Sequence, residues 1–107
     1  MKTEQGTVST THIVGTEKLD RITVYWHDYS DLQGMVTIVC FGSSWTAYFG
    51  SMPADDIQGF FAMANTDYLV AKLLDCKWQK EQPRHKKYLA RVVTAIKAHM
   101  TEEHDEN

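Results

Sequence analysis

The stretch that most constrains the fold is residues 35–53, Met-Val-Thr-Ile-Val-Cys-Phe-Gly-Ser-Ser-Trp-Thr-Ala-Tyr-Phe-Gly-Ser-Met-Pro. It reads as two apolar strands joined by a tight turn at Gly42-Ser43, with an exit into a helix at Pro53. A two-residue type II′ loop needs a positive φ at its first position, which Gly42 supplies. That loop pairs Cys40 with Trp45, Ile38 with Ala47 and Val36 with Phe49, and places all six on one face. A three-residue loop would set Ile38 against Tyr48 and Thr37 against Phe49. Because a one-residue slip exchanges the faces, the cleaner segregation selects the two-residue loop. The opposite face then carries Thr37, Val39, Phe41, Thr46 and Tyr48.

The flanking sequence extends this hairpin. Residues 21–27, Arg-Ile-Thr-Val-Tyr-Trp-His, alternate with period two: Ile22, Val24 and Trp26 on one face, Thr23, Tyr25 and His27 on the other. Turn chemistry at residues 28–34 makes this strand antiparallel to the next. A further strand at 12–18 is weakened by Gly15, so the sheet has three strands, or four if that segment joins. Residues 1–11 are polar and Thr-rich, and are read as a flexible N-terminal segment.

Beyond the hairpin, Pro53 suits a first helical turn, and Asp55 and Asp56 suit its positive N-terminal end. Ile57, Phe60, Phe61 and Ala64 form a helical stripe. Asn65-Thr66-Asp67 offers a stop and a fresh N-cap, so residues 54–74 hold either two short helices or one bent helix. From Arg84 to about Met100, the residues Tyr88, Leu89, Val92, Val93, Ile96 and Met100 share one stripe. Residues 101–107 read as an acidic disordered tail. The expected fold is α+β: a single domain over 12–100, an antiparallel meander with two or three helices packed on one face. Ile22, Val24, Trp26, Val36, Ile38, Cys40, Trp45, Ala47 and Phe49 are the expected core beneath those helices.

A chain of 107 residues with 43% hydrophobic and 23% charged content is an ordinary globular domain. No apolar run approaches membrane-spanning length, and the N-terminus lacks the apolar segment of a signal peptide. Cys40 and Cys76 form no Cys-x-x-Cys pair. Free thiols and a reducing cytoplasm are expected.

Chemical signatures are few. Gly42-Ser43-Ser44-Trp45-Thr46 lacks the second glycine of a nucleophile elbow and sits in a strand–turn–strand setting. His12, His27, His85, His99 and His104 have no metal-ligand spacing. Asp55-Asp56 is explained by a helix N-terminus, and no glycine-rich phosphate loop is present. The expectation is a protein without catalytic residues, bound metal or cofactor.

Charge is unevenly distributed. Residues 1–71 carry three basic and eight acidic groups, residues 72–99 eight basic and two acidic, and residues 100–107 four acidic and no basic groups. The basic segment 72–97, with Lys77, Lys80, Arg84, Lys86, Lys87 and Arg91, is a candidate surface for phosphate backbones or an acidic partner. A solvated helix face explains the same residues. The second candidate surface is the sheet face bearing Tyr25, His27, Phe41 and Tyr48, whose aromatics suit partner contacts or base stacking. Arg21 is the only cation in the three expected strands, so that face lacks the charge a nucleic-acid sheet needs.

The segment Phe41-Gly-Ser-Ser-Trp-Thr-Ala-Tyr-Phe-Gly-Ser-Met52 resembles a family of small, uncharacterised proteins of tailed bacteriophages and prophages. The likeness continues through Ile57, Phe60 or Phe61, and Asp67-Tyr-Leu-Val-Ala-Lys-Leu73, and covers about residues 21–74. Pro-Ala-Asp-Asp after Met52 departs from the glycine expected there, and the basic helix lies outside the resemblance. The resemblance implies an accessory role in the host cytoplasm and supplies no catalytic residues. The reading is a non-enzymatic phage accessory protein that binds a host or phage protein, acting on defence or DNA-metabolism machinery. The alternative is a nucleic-acid-binding module using segment 72–97. Homodimerisation through a bare sheet face or edge strand is a further option.

Overall fold

The computed structural model describes residues 5–14, 20–30, 32–75 and 83–105. Its elements follow in the order β1 (Thr7–Ile13), β2 (Ile22–Asp28), β3 (Gly34–Cys40), β4 (Ser43–Phe49), α1 (Ile57–Met63), α2 (Thr66–Leu74) and α3 (Pro83–Asp105). The strands form one antiparallel sheet in chain order. Period-two alternation sends every second side chain inward. Ile22, Val24, Trp26, Val36, Ile38, Cys40, Trp45, Ala47 and Phe49 are all buried, as the sequence pattern requires. The helices complete this core with Ile57 and Phe61 from α1, Leu69, Val70 and Leu73 from α2, and Leu89, Val92, Val93 and Ile96 from α3. Phe61 meets Trp26 edge-on at 5.3 Å between ring centroids, an arrangement favoured by the ring quadrupoles.

The β3–β4 register differs from the expected one. Cys40 pairs with Ser43, Ile38 with Trp45, Val36 with Ala47 and Gly34 with Phe49. The loop is therefore Phe41-Gly42, with φ of +52° and +73°. Two left-handed residues make a type I′ turn, whose twist matches that of the strands. The shift is two residues, so the faces keep their composition and the predicted core survives. Phe41 leaves the sheet face and becomes the turn.

Other boundaries also differ. The first strand is Thr7–Ile13, so residues 7–11 belong to the sheet and not to a flexible segment; residues 15–18 of the strand expected at 12–18 lie outside the described residues. The register Thr7↔Asp28 through Ile13↔Ile22 is unbroken. Its inward positions are mostly hydroxyls at the edge of the core: Thr11 accepts from the Trp26 indole at 2.9 Å, and Gln58 of α1 reaches Ser9 at 3.3 Å. At the other end of the chain α3 continues to Asp105, so residues 101–105 of the expected acidic tail are helical; residues 106–107 lie outside the described set.

Residues 54–74 hold two helices. α1 starts at Ile57, after the bends that follow Pro53, because Asp56 is its N-cap and accepts from Gly59 N–H at 2.7 Å. Asp28, at the end of β2, accepts from Ile57 N–H at 2.7 Å and ties the same helix start to the sheet. Gly34 permits the approach: a Cβ there would lie 3.0 Å from Ile57 Cβ and from Met52 Sδ. Asn65 caps α2 by accepting from Asp67 and Tyr68 N–H, and the Lys97 ammonium of α3 donates to the Ala64 carbonyl between the two helices.

Candidate functional site: the open face of the sheet

The sheet face turned away from the helices is built in cross-strand rows. Val8, His27, Met35 and Tyr48 form one row, and Thr10, Tyr25, Thr37 and Thr46 the next. His12, Thr23, Val39 and Ser44 form the third. None of these twelve carries a formal charge with histidine neutral. Tyr25 is 43% and Tyr48 49% exposed, and His27 is half-buried.

This face is internally braced. Tyr29, two residues beyond His27 on the same alternation, stacks on its ring at 4.1 Å between centroids and 18° between planes. Tyr29 also meets Tyr48 edge-on at 6.0 Å. The Tyr48 hydroxyl donates to Gln33 Oε1 at 2.9 Å. Thr37 and Thr46 share a hydroxyl–hydroxyl bond at 3.0 Å, and Thr23 lies 3.3 Å from His12 Nδ1. Aromatic rings fixed by neighbours lose little rotamer entropy when a partner docks on them.

Three of the four candidate aromatic-face residues come together: Tyr25, His27 and Tyr48. Phe41 does not join them. It follows Cys40, which pairs with Ile22, five residues from His27 along β2, or about 17 Å at strand rise. Phe41 stands at the tip of the β3–β4 turn, 75% exposed. Sequence reasoning missed Tyr29, Met35 and the whole contribution of β1. The signals were the continued alternation past His27 and the high strand preference of Thr-Val-Ser-Thr-Thr-His-Ile.

Tyr48 also borders a cleft of about 350 Å³ beside the end of β4, with Phe49, Phe60, Tyr68 and Lys72 among its walls. The Lys72 ammonium sits 5.8 Å from the centre of the Phe49 ring, a cation–π distance. The aromatic surface thus continues around the sheet edge through Tyr48.

The cationic candidates occupy the other side of the molecule. Lys86, Lys87 and Arg91 are exposed on α3, roughly opposite the stripe that buries Leu89, Val92 and Ile96. The sheet lies between them and the aromatic face. Lys77, Lys80 and the side chain of Arg84 lie outside the described residues, as do Cys76 and Trp78. Lys72 and Lys97, within the same basic segment, contact Phe49 and Ala64.

Cys40 is a buried free thiol. Its Sγ lies 3.8 Å from the Asp20 carbonyl, to which it donates, and 3.3 Å from the Tyr88 hydroxyl. The hydrogen bond with Cys40, aided by burial, pushes the Tyr88 phenol up to about 12 by favouring the neutral form. Among the described residues no three His, Cys, Asp or Glu side chains gather where they could hold a metal ion. No helix among them is long and apolar enough to cross a membrane.

No curated protein and no solved structure shows significant similarity to the chain. A family model described as a phage family matches residues 1–106. The match spans far more than residues 21–74 and includes the basic helix. With nearly the whole chain matched, the protein belongs to the phage family Phage_phiTE_072.

Proposed function

We propose that this phage-family protein is a non-enzymatic accessory factor that binds a host or phage protein in the host cytoplasm, through the open sheet face centred on Tyr25, His27, Tyr29 and Tyr48. The observation that carries this reading is the contrast between the two faces. One is filled by three helices; the other presents braced, half-exposed aromatics among uncharged hydroxyl side chains. Tyrosines of this kind supply large rigid contact area with a polar tip, the composition favoured at protein interfaces. A partner in host defence or DNA metabolism fits an accessory role.

The test is capture of partners from infected and uninfected host lysates by the tagged protein, in parallel with Tyr25→Ala and Tyr48→Ala. Both side chains are surface groups, so the variants keep the fold by circular dichroism and lose the captured protein. Equal capture by wild type and both variants would remove the sheet face from the interaction.

A second reading rests on Lys86, Lys87 and Arg91, exposed together on α3: contact with nucleic-acid phosphates. Such binding weakens steeply with salt. Titration of single- and double-stranded DNA at two salt concentrations tests it, and absence of binding at low salt eliminates it. The separation of these cations from the aromatic face argues against one surface that both stacks bases and neutralises phosphates.

A further inference from the structure

We infer that the cleft at the end of β4 takes an aromatic side chain with a carboxylate beside it, presented by a peptide segment of a protein partner. This deepens the protein-binding reading and rests on it for the source of the segment; the chemistry of the cleft is argued separately.

The cleft measures about 350 Å³, within the range of small-ligand pockets. Its walls come from β4 and the residues after it (Tyr48, Phe49, Ser51), from α1 (Phe60) and from α2 (Tyr68, Lys72), all of them described residues. Four of these six are aromatic. Phe49 and Phe60 are nearly buried, with ring centroids 4.8 Å apart, and give the cleft a fixed apolar base. Tyr68 is half-exposed, 6.2 Å from Phe49. A ring that enters this space meets other rings at the distances aromatic pairs favour.

Charge selects the rest of the ligand. Among the described wall residues Lys72 carries the one formal charge, in a chain of net charge −3. Its side chain is half-buried and its ammonium stays 5.8 Å from the Phe49 ring centre, so the cation is held at the cleft. One ammonium matches one carboxylate. It matches a nucleotide poorly, because a phosphate monoester carries about −1.5 to −2 charge at pH 7 and calls for a second cation or a set of open N–H donors. The first N–H groups of α2 are already taken: Asn65 Oδ1 accepts from Asp67 and Tyr68 N–H at 2.8 and 3.3 Å, and Asp67 adds an acid to the same turn. A peptide supplies both required groups where an aromatic residue ends the chain or neighbours an acid. Tyr48 borders both the cleft and the open sheet face, so the two contacts are continuous.

The test is titration of the full chain with N-acetyl-phenylalanine, its carboxamide and adenosine monophosphate, followed by backbone amide NMR. N-acetyl-phenylalanine shifts Ser51, Ala64 and Tyr68, with a Kd on the order of 1 mM, the range for a fragment of this size. The carboxamide shifts the same residues and binds about fivefold more weakly, the upper range for an exposed ion pair. Lys72→Gln lowers the affinity of the acid to that of the amide and leaves the amide unchanged; Tyr68→Ala weakens both. Equal binding of acid and amide to wild type overturns the inference, and that comparison needs no variant to fold. So does an absence of shifts at the cleft up to the solubility limit, or tighter binding of adenosine monophosphate, which assigns the cleft to nucleotides. Because the ligands are pure compounds, the result is independent of partner capture. Fragment binding with failed capture strikes the sheet-face reading alone, and capture without fragment binding strikes the cleft alone.

Discussion

Replacing Phe41 by Asn is predicted to stabilise the protein. Phe41 has φ of +52° and is followed by Gly42 at +73°. A left-handed conformation costs an ordinary L-residue roughly 1–2 kcal/mol, and Asn far less. The ring returns little, being 75% exposed: full burial of Phe is worth about 1.5–3 kcal/mol, so the covered quarter contributes roughly 0.5 kcal/mol. The net gain is about 1 kcal/mol, or a melting-temperature rise of roughly 4–8 °C for a domain near this size. Thermal and urea unfolding followed by circular dichroism measure it, with Phe41→Ala as the comparison. Alanine retains the left-handed cost and loses the ring, so it melts below wild type. The sign also separates the two registers. Were the loop Gly42-Ser43, Phe41 would be a strand residue, and Asn would cost stability through its poor strand preference. An unchanged or lowered melting temperature for Phe41→Asn would refute the type I′ turn.

Three further outcomes follow from the packing. Gly34→Ala lowers stability by about 1–2 kcal/mol in urea unfolding, because its methyl must displace Ile57 and Met52 from 3.0 Å contacts. Asp28→Ala costs about 1.5–2.5 kcal/mol, since it removes a charged acceptor from the α1 N-terminus and leaves Ile57 N–H without its 2.7 Å bond; Asp28→Asn recovers part of this. Stability also falls at high pH through Tyr88, whose phenol is raised from 10.0 to about 12. The folded state holds that proton more tightly than the unfolded chain, so the contribution is complete below pH 10.0 and is lost as pH rises through about 12. Unfolding midpoints at rising alkaline pH should decline less steeply in Tyr88→Phe than in wild type; parallel declines contradict the Cys40–Tyr88 bond.

The sheet and its inner face were legible because period-two alternation survives a two-residue slip. Ile38 and Trp45 were correctly placed inward, although their cross-strand partners were not. The turn itself was not legible, since glycine fits the first position of type II′ and either central position of type I′. Here strand twist selected the turn that puts Phe41, a poor left-handed residue, beside Gly42. β1 was obscured because its inward residues are mostly hydroxyls, whose burial needs partners such as the Trp26 indole that lie far away in sequence. The helix break at Asn65 was readable because its cap is local: the acceptor and its donors are within three residues. Asp28 was read as turn chemistry, yet it also caps α1 across 29 positions, a contact that no local pattern encodes. The aromatic site was partly visible. Tyr25, His27 and Tyr48 followed from alternation, whereas the separation of Phe41 depended on the turn.

The most direct test of the central claim compares capture of host and phage proteins by three folded forms: wild type, Tyr25→Ala/Tyr48→Ala, and Lys86→Ala/Lys87→Ala/Arg91→Ala. The open sheet face predicts a specific protein retained by wild type and by the helix triple variant, and lost by the tyrosine double variant. Retention by the tyrosine variant with loss by the helix variant would contradict the account and move the functional surface to α3.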